Sequence, residues 1–184
     1  SNSGGSPFNS SLQADFKWKF KPGTLDFGAK FTYRQNDIFH EFYNYIDSAW
    51  NYSETFSNDL LHREVIPAAY AMFSGKAGKR FTYKVGLRGE YYKVSTNSYS
   101  REVAGGDEIS HFEPLKPEFQ LFPSVFLSYQ LPNDNELQVN YTKRVRRPWG
   151  GQLNSFHNIS DSTNISYGNP LLKPEYSNAF ELNY

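Results

Sequence analysis

The stretch RFTYKVGLRGEYY, residues 80–92, divides almost completely into an apolar set and a polar set. Alternate positions carry apolar or small side chains, namely Phe81, Tyr83, Val85, Leu87, Gly89 and Tyr91. The positions between them carry the charges, namely Arg80, Lys84, Arg88 and Glu90. Because successive side chains of a β-strand point to opposite faces, this period of two predicts a strand that lies between two different environments.

The same alternation recurs along the chain, in residues 12–20, 24–34 and 135–145. Short turns rich in Gly, Pro, Asn or Asp interrupt it at nearly equal intervals, around Gly23, Gly78 and Asp134. We predict strands at residues 11–20, 24–46, 61–75, 79–97, 117–131, 135–147 and 175–184. The long polar stretches between them, residues 47–59, 98–116 and 148–173, are predicted to be loops.

Strand length and aromatic content indicate what covers the apolar face. Alternation over nine or more residues matches the roughly nine to eleven residues of a tilted membrane strand and exceeds the five or six of an ordinary strand. Aromatic residues make up 18% of the chain, which suits the aromatic girdles of a membrane barrel. The predicted fold class is all-β, an antiparallel up-and-down meander that forms part of a transmembrane β-barrel. We expect about seven to eight long strands, short periplasmic turns and long extracellular loops.

Composition excludes several other classes of protein. The 19 basic and 19 acidic residues balance, so no net charge points to a nucleic-acid partner. The chain has no cysteine and no run of about twenty apolar residues that a membrane helix needs. The histidines, His40, His62, His111 and His157, lie far apart in sequence and are expected to be ordinary surface residues. We predict no metal site, no cofactor and no enzymatic activity.

The second half of the chain resembles the outer-membrane β-barrels of TonB-dependent receptors. The similarity is carried by Phe122-Pro123-Ser124, by the basic element Arg144 to Pro148, by Gln152-Leu153-Asn154-Ser155-Phe156 and by Tyr167 to Tyr176, YGNPLLKPEY. It extends over most of the chain beyond Leu12. No plug domain and no TonB box are recognisable. Single-chain barrels have even strand numbers from eight upward and seven strands are predicted here, so we expect a segment of a larger barrel.

The resemblance implies location, partners and function. It implies a bacterial outer membrane, contact with outer-membrane lipid and, through the whole protein, with its own plug domain and the TonB complex. The implied function is import of a nutrient, small or oligomeric, that the sequence does not identify. Residues 11–184 are then the barrel segment, and residues 1–10 are a flexible N-terminal or expression-derived segment. Two alternatives remain open: a barrel that acts as an adhesin or structural protein, and a soluble β-sandwich that binds carbohydrate.

The candidate site residues lie in and beside the long stretch 148–173. We predict that this extracellular loop contacts the ligand through Trp149, Asn154, Phe156 and Tyr167. The alternative is that Asn169-Pro170 and Lys173-Pro174 only fix turns and return the chain to the sheet at Glu175. The cluster Lys143, Arg144, Arg146 and Arg147 is predicted to form a basic rim, either solvated or bound to an anionic group.

The two faces of the opening stretch receive separate predictions. Phe81, Tyr83, Val85, Leu87 and Tyr91 are expected to face lipid, and Arg80, Lys84, Arg88 and Glu90 are expected to face the lumen. A basic residue on the lipid side at mid-membrane costs about 2–4 kcal/mol, so the charged set belongs inside. Glu90 is expected to pair with Arg88 or with basic neighbours.

Overall fold

A computed structural model describes residues 1–102, 106–112, 116–156, 158–161 and 164–184. These residues form strands and one short helical turn. The elements are β1 Asn2–Phe20, β2 Gly23–Ile46, β3 Ala49–Ala77, β4 Phe81–Glu102, β5 Gly106–Phe112, β6 Glu118–Gln130, β7 Glu136–Arg146, α1 Gly150–Leu153, β8 Asn158–Asp161, β9 Asn164–Ser166 and β10 Glu175–Asn183. Within these ranges no helix has the length and apolar character needed to cross a membrane.

Eight of the strands build one antiparallel sheet. Its order is β1-β2-β3-β4-β6-β7-β10, and β5 pairs with the far part of β4. β8 and β9 form a separate two-stranded sheet within the connection from β7 to β10. The predicted all-β, up-and-down meander is therefore confirmed. The sheet is not closed, and β1 and β10 are its two edge strands. A single layer of this kind does not correspond to the two packed sheets of the β-sandwich alternative.

The pairing register keeps the apolar set of every strand on one face. One row of paired residues that crosses the whole sheet is Trp18, Leu25, Phe73, Val85, Val125, Tyr141 and Phe180. The adjacent row is Lys19, Thr24, Ser74, Lys84, Phe126, Asn140 and Glu181. We call the side of Val85 the outer face and the side of Lys84 the inner face. A shift of one residue in any pair would exchange the two sets, so the apolar pattern specifies the register.

The outer face carries a continuous apolar band. Starting from the short turns, the outer face of β2, β3 and β4 carries no charged residue before the end of the band. The band ends at Tyr33 in β2, at Val65 in β3 and at Tyr91 in β4. In β4 the band runs from Phe81 to Tyr91, a length that crosses a bilayer when the strand is tilted by about 45°. Its large side chains are unusually exposed, for example Val85 at 48% and Tyr91 at 43%. An exposed apolar band of this extent marks a surface that contacts a membrane or another protein, and its length along the strands matches a bilayer.

Several strands extend well beyond their predicted ends. The predicted loop 47–59 is instead a hairpin, in which β2 ends at Ile46 and β3 begins at Ala49. Its two-residue turn, Asp47-Ser48, has positive φ values of 52 and 62°, as tight hairpins require. The predicted loop 98–116 contains the end of β4 and all of β5. Beyond the apolar band polar side chains occupy both faces, so the alternation that marks a strand is lost from the sequence.

The first strand also begins earlier than predicted. β1 starts at Asn2, and the Ser/Gly/Asn-rich residues 2–10 pair with β2 from Glu41 to Tyr33. Backbone hydrogen bonds to a neighbouring strand do not depend on side chains, so this composition hides the strand. The short turns at Lys21-Pro22, around Gly78 and around Asp134 agree with their predicted positions. Arg80 lies in the second of these turns and not in β4, which begins at Phe81.

Candidate functional site

The connection from β7 to β10, residues 147–174, folds back onto the inner face of β3 and β4; we call it the β7–β10 loop. Its single helical turn, α1, places Gly150 so close to β3 that an added Cβ would lie 3.0 Å from Cβ of His62. Leu153 at the end of α1 is only 3% exposed. The loop therefore packs against the wall of the sheet.

The two motif stretches of the loop hold each other. The Gly168 N–H donates to the Asn154 carbonyl at 2.6 Å, and the Asn169 N–H donates to the Gln152 carbonyl at 2.8 Å. A Cβ on Gly168 would meet the carbonyl oxygens of Gln152 at 2.5 Å and Asn154 at 2.7 Å, so this position requires glycine. Gln152 also accepts a hydrogen bond from the Trp149 N–H at 3.2 Å through Oε1. Residues of the QLN and YGN stretches, which carry the family resemblance, therefore hold the two halves of the loop together.

An amide network fastens the loop to the sheet. Asn154 donates through Nδ2 to Oδ1 of Asn58 in β3 at 2.8 Å, and Ser98 in β4 donates to Asn154 Oδ1 at 3.4 Å. Asn58 in turn donates to Ser98 Oγ at 2.8 Å and to the Tyr99 carbonyl at 3.0 Å. Buried amides of this kind are costly unless paired, so the network fixes the position of the loop.

A second polar cluster lies under the loop, just beyond the apolar band. The Glu64 carboxylate accepts a hydrogen bond from the Tyr92 hydroxyl at 3.0 Å and forms an ion pair with Arg34 at 3.3 Å. Burial raises the pKa of Glu64, but neighbouring His62, the Tyr92 hydrogen bond and the Arg34 charge outweigh burial, so its pKa lies below the ordinary value. Burial and the Glu64 carboxylate raise the pKa of Tyr92, so its hydroxyl remains a donor.

Glu90 connects the sheet to the base of the loop. Its carboxylate accepts from Arg88 Nε at 2.6 Å and from Arg147 Nη2 at 2.6 Å. The Arg147 guanidinium also lies over the Tyr92 ring, 4.5 Å from the ring centroid. The predicted pairing of Glu90 with Arg88 is confirmed. The second partner, Arg147, was predicted as part of the basic rim, and the structure directs it inward onto Glu90.

The histidines depart from expectation at one position. His62 is 2% exposed and its Nδ1 lies 2.9 Å from Thr96 Oγ1, so the prediction of a surface residue is wrong for His62. Its inward position on β3 and the covering loop account for this burial. His40 is partly buried, with its ring 6.1 Å from that of Phe156. The side chains of His111 and His157 lie outside the described part of the structure. Among the residues it covers, no cluster of three or more His, Asp or Glu side chains is arranged to hold a metal.

The four predicted ligand-contact residues separate into two kinds. Trp149 is 61% exposed and Tyr167 is 67% exposed, so both rings are available to a ligand. Asn154 and Phe156 instead serve the fold of the loop: Asn154 in the amide network, and Phe156 through its ring contact with His40 and its N–H bond to Asn154 Oδ1 at 3.1 Å. The structure brings Asn154 and Phe156 together, whereas the rings of Trp149 and Tyr167 stay exposed on the loop.

The remaining basic residues lie along the end of β7. Lys143 places its Nζ 5.4 Å from the centroid of the Tyr176 ring, and Arg144 and Arg146 are exposed. Arg144 lines an open groove of about 470 Å³ on the inner face, together with Tyr70, Arg88, Ser124 and Thr142. The groove therefore offers two guanidinium groups and several hydroxyls. These are suitable groups for a polar or anionic partner inside the barrel.

The sequence did not indicate which residues of β3 and β4 lie beneath the β7–β10 loop. Asn58, Glu64 and Ser98 lie in stretches predicted as a loop or near strand ends, and no local pattern indicates that they meet Asn154 or Arg34. One signal was available: His62 and Glu64 share the spacing of two that places them on one face of a strand.

Comparisons with known proteins agree with this geometry. The model of a family described as the outer membrane protein beta-barrel family matches residues 1–184. A search of curated proteins and a search of solved structures each gave no match. The match covers the whole chain, and the antiparallel meander with its apolar outer band is the architecture that such a family requires. The chain belongs to the outer membrane protein beta-barrel family and is located in the bacterial outer membrane.

Proposed function

We propose that this chain forms part of the barrel of a TonB-dependent receptor that imports a nutrient across the outer membrane. The observation that carries the proposal is the inward fold of the β7–β10 loop, which Asn154 and Arg147 fasten to the inner wall. An extracellular loop folded inward narrows the entrance of a barrel, as a selective receptor requires. An adhesin instead needs loops that reach away from the membrane.

The exposure of each side chain supports a separate role for each loop residue in the proposed function. Trp149 and Tyr167 present exposed rings on this loop and would contact the nutrient by stacking or apolar contact. Asn154 and Phe156 would act by holding the loop in place. Arg88 and Arg144 on the inner groove would face the plug domain, whose coupling to the TonB complex would supply the energy for transport.

A growth experiment tests the proposal with the intact protein in its own bacterium. The gene is deleted, and growth is measured at limiting concentrations of ferric chelates, cobalamin and oligosaccharides, beside a strain without TonB. We expect the deletion to abolish growth on one of these nutrients, as loss of TonB does. The gene should restore growth, and a Trp149→Ala/Tyr167→Ala variant should restore it less well.

The same strains separate import from the alternative role. Attachment of cells to surfaces is measured in parallel. If the deletion leaves growth on every nutrient unchanged but reduces attachment, the adhesin reading replaces receptor-mediated import. If the deletion changes only the integrity of the cell envelope, a structural role replaces receptor-mediated import.

A further inference from the structure

On the outer face of β2, β3 and β4, the side chains change from apolar to charged or polar at the end of the apolar band that lies away from the short turns. Moving away from the short turns, Lys93 is the first charged residue on this face of β4, and Arg63 is the first on this face of β3. Lys93 pairs with Val65, the last member of the apolar band in β3, and Arg63 pairs with Ser95, two residues further along each strand. Two cations therefore lie side by side at the edge of the band.

These cations differ from three arginines of the inner face. Arg34, Arg88 and Arg147 each contact a carboxylate within 3.3 Å. Arg63 instead donates through Nε to the amide oxygen of Gln35 at 3.2 Å. Within the described ranges neither Arg63 nor Lys93 has a carboxylate partner, and both are exposed.

One acidic residue lies near them on the same face. Asp37 lies two residues beyond Gln35 on β2 and accepts a hydrogen bond from Gln35 Nε2 at 3.4 Å. Gln35 thus lies between the carboxylate and the Arg63 guanidinium, and its oxygen uses only one of the five donors of that guanidinium. No carboxylate among the described residues takes up the remaining donors of Arg63 or the Lys93 ammonium group, which leaves these groups to an outside partner.

We propose that Arg63 and Lys93 bind the phosphate of an anionic lipid in the outer leaflet of the outer membrane. The short turns of such a barrel are periplasmic, so this edge of the band lies on the extracellular side, at the level of the lipid headgroups. Residues offset in this way on adjacent strands lie about 7–8 Å apart, which lets two long side chains reach one phosphate. Arginine offers paired donors to phosphate and lysine adds a point charge.

The surface below the two cations suits the same occupant. Val65 and Tyr91 lie directly beneath Arg63 and Lys93, and Phe119, which is 63% exposed, continues this apolar surface on β6. A lipid with its phosphate at Arg63 and Lys93 would lay its acyl chains along these side chains. Charge and apolar surface therefore match the two parts of one lipid molecule.

Lipid binding to the intact purified protein tests this proposal. Native mass spectrometry from detergent measures the occupancy of lipid A that carries its phosphates, and of the same lipid A after enzymatic dephosphorylation. The wild-type protein should bind the phosphorylated form more tightly. Arg63→Gln and Lys93→Gln should each weaken that binding about fivefold, and the double variant should bind the two lipids almost equally.

The control removes two charges from the opposite face of neighbouring strands. Lys30→Gln/Lys84→Gln should keep the full preference for phosphorylated lipid A, because both residues face inward. Heat-modifiable migration on a gel confirms that each variant is folded. Equal binding of both lipids by the wild-type protein would overturn the proposal without reference to any variant. An equal loss in both double variants would show general attraction of charge and would also overturn it.

Discussion

Glu90 shows how far a single residue can be understood from its sequence neighbours. Its pairing with Arg88 follows from their spacing of two on one face of β4, and the structure has that contact at 2.6 Å. Its pairing with Arg147 crosses 57 positions of sequence and depends on the path of the β7–β10 loop. The local contact was therefore predictable from the alternation, whereas the distant one required the fold.

The same limit applies to Asn154. The sequence predicted a ligand contact, which stays a prediction, and did not indicate that the amide bonds to Asn58, which lies 96 positions away. Nothing in either stretch of sequence indicates the other. By contrast, Trp149 and Tyr167, for which the prediction of ligand contact stays untested, lie exposed where such contact requires.

The residue-scale prediction concerns the two faces of β4. Val85→Arg places a charge in the middle of the outer apolar band, which costs about 2–4 kcal/mol at the bilayer midplane, so we expect barrel assembly to fall sharply. Lys84→Gln on the inner face should leave assembly intact. Heat-modifiable migration of the intact protein on a gel measures the folded fraction of each variant. Normal assembly of the Val85→Arg variant beside failure of Lys84→Gln would mean that the faces are reversed.

At the scale of elements, the strands were predicted well inside the apolar band and poorly beyond it. β6, observed at Glu118–Gln130, and β7, at Glu136–Arg146, lie within one residue of their predicted ends. β3 begins at Ala49 instead of residue 61, because in its first part Glu54 and Asn58 interrupt the apolar positions and the alternation is incomplete. Alternation reports a difference between two environments, and where both are aqueous the strand gives no such signal.

The return of the chain from the loop to the sheet was also predictable. Proline restricts the residue before it to extended geometry, so Lys173-Pro174 indicated a junction, and β10 begins at Glu175 as expected. The inward fold of the same loop was not predictable. It depends on Gly168, whose close approach to two carbonyl groups is visible only in three dimensions.

The element-scale prediction tests the backbone contact between Gln152–Asn154 and Gly168–Asn169 within the β7–β10 loop. In Gly168→Ala the added methyl group would lie 2.5 Å from the Gln152 carbonyl oxygen, so the two segments must separate and lose their backbone hydrogen bonds. We expect a cost of about 1–3 kcal/mol and a loop that a protease added to intact cells cuts faster. Leu171→Ala, which shortens a side chain 68% exposed on the same loop, should leave the cleavage rate unchanged. Equal cleavage rates of Gly168→Ala and wild type would show that these backbone hydrogen bonds do not hold the loop in place.

At the scale of the whole molecule, one pattern explains the architecture. Period-two alternation in several stretches predicted strands with one apolar face, and the register of the sheet aligns those faces into a single band. Short turns at one end and long polar stretches at the other indicated the up-and-down connection. The family match over residues 1–184 agrees with both. The function within the family is not encoded in this pattern, because the band reports contact with lipid and says nothing about a ligand.

The central claim is that the outer face of this sheet contacts lipid, and spin-label accessibility along β4 tests it most directly. The 184 residues contain no cysteine, so within them a single cysteine at each of positions 83–91 can carry a nitroxide, with any cysteine elsewhere in the protein replaced by serine. We predict that collisions with oxygen, which concentrates in lipid, peak at Tyr83, Val85, Leu87 and Tyr91. Collisions with a water-soluble nickel chelate should be lowest at those positions and higher at Lys84 and Arg88. Accessibility without a period of two, or with lipid exposure at Lys84 and Arg88, would contradict the account.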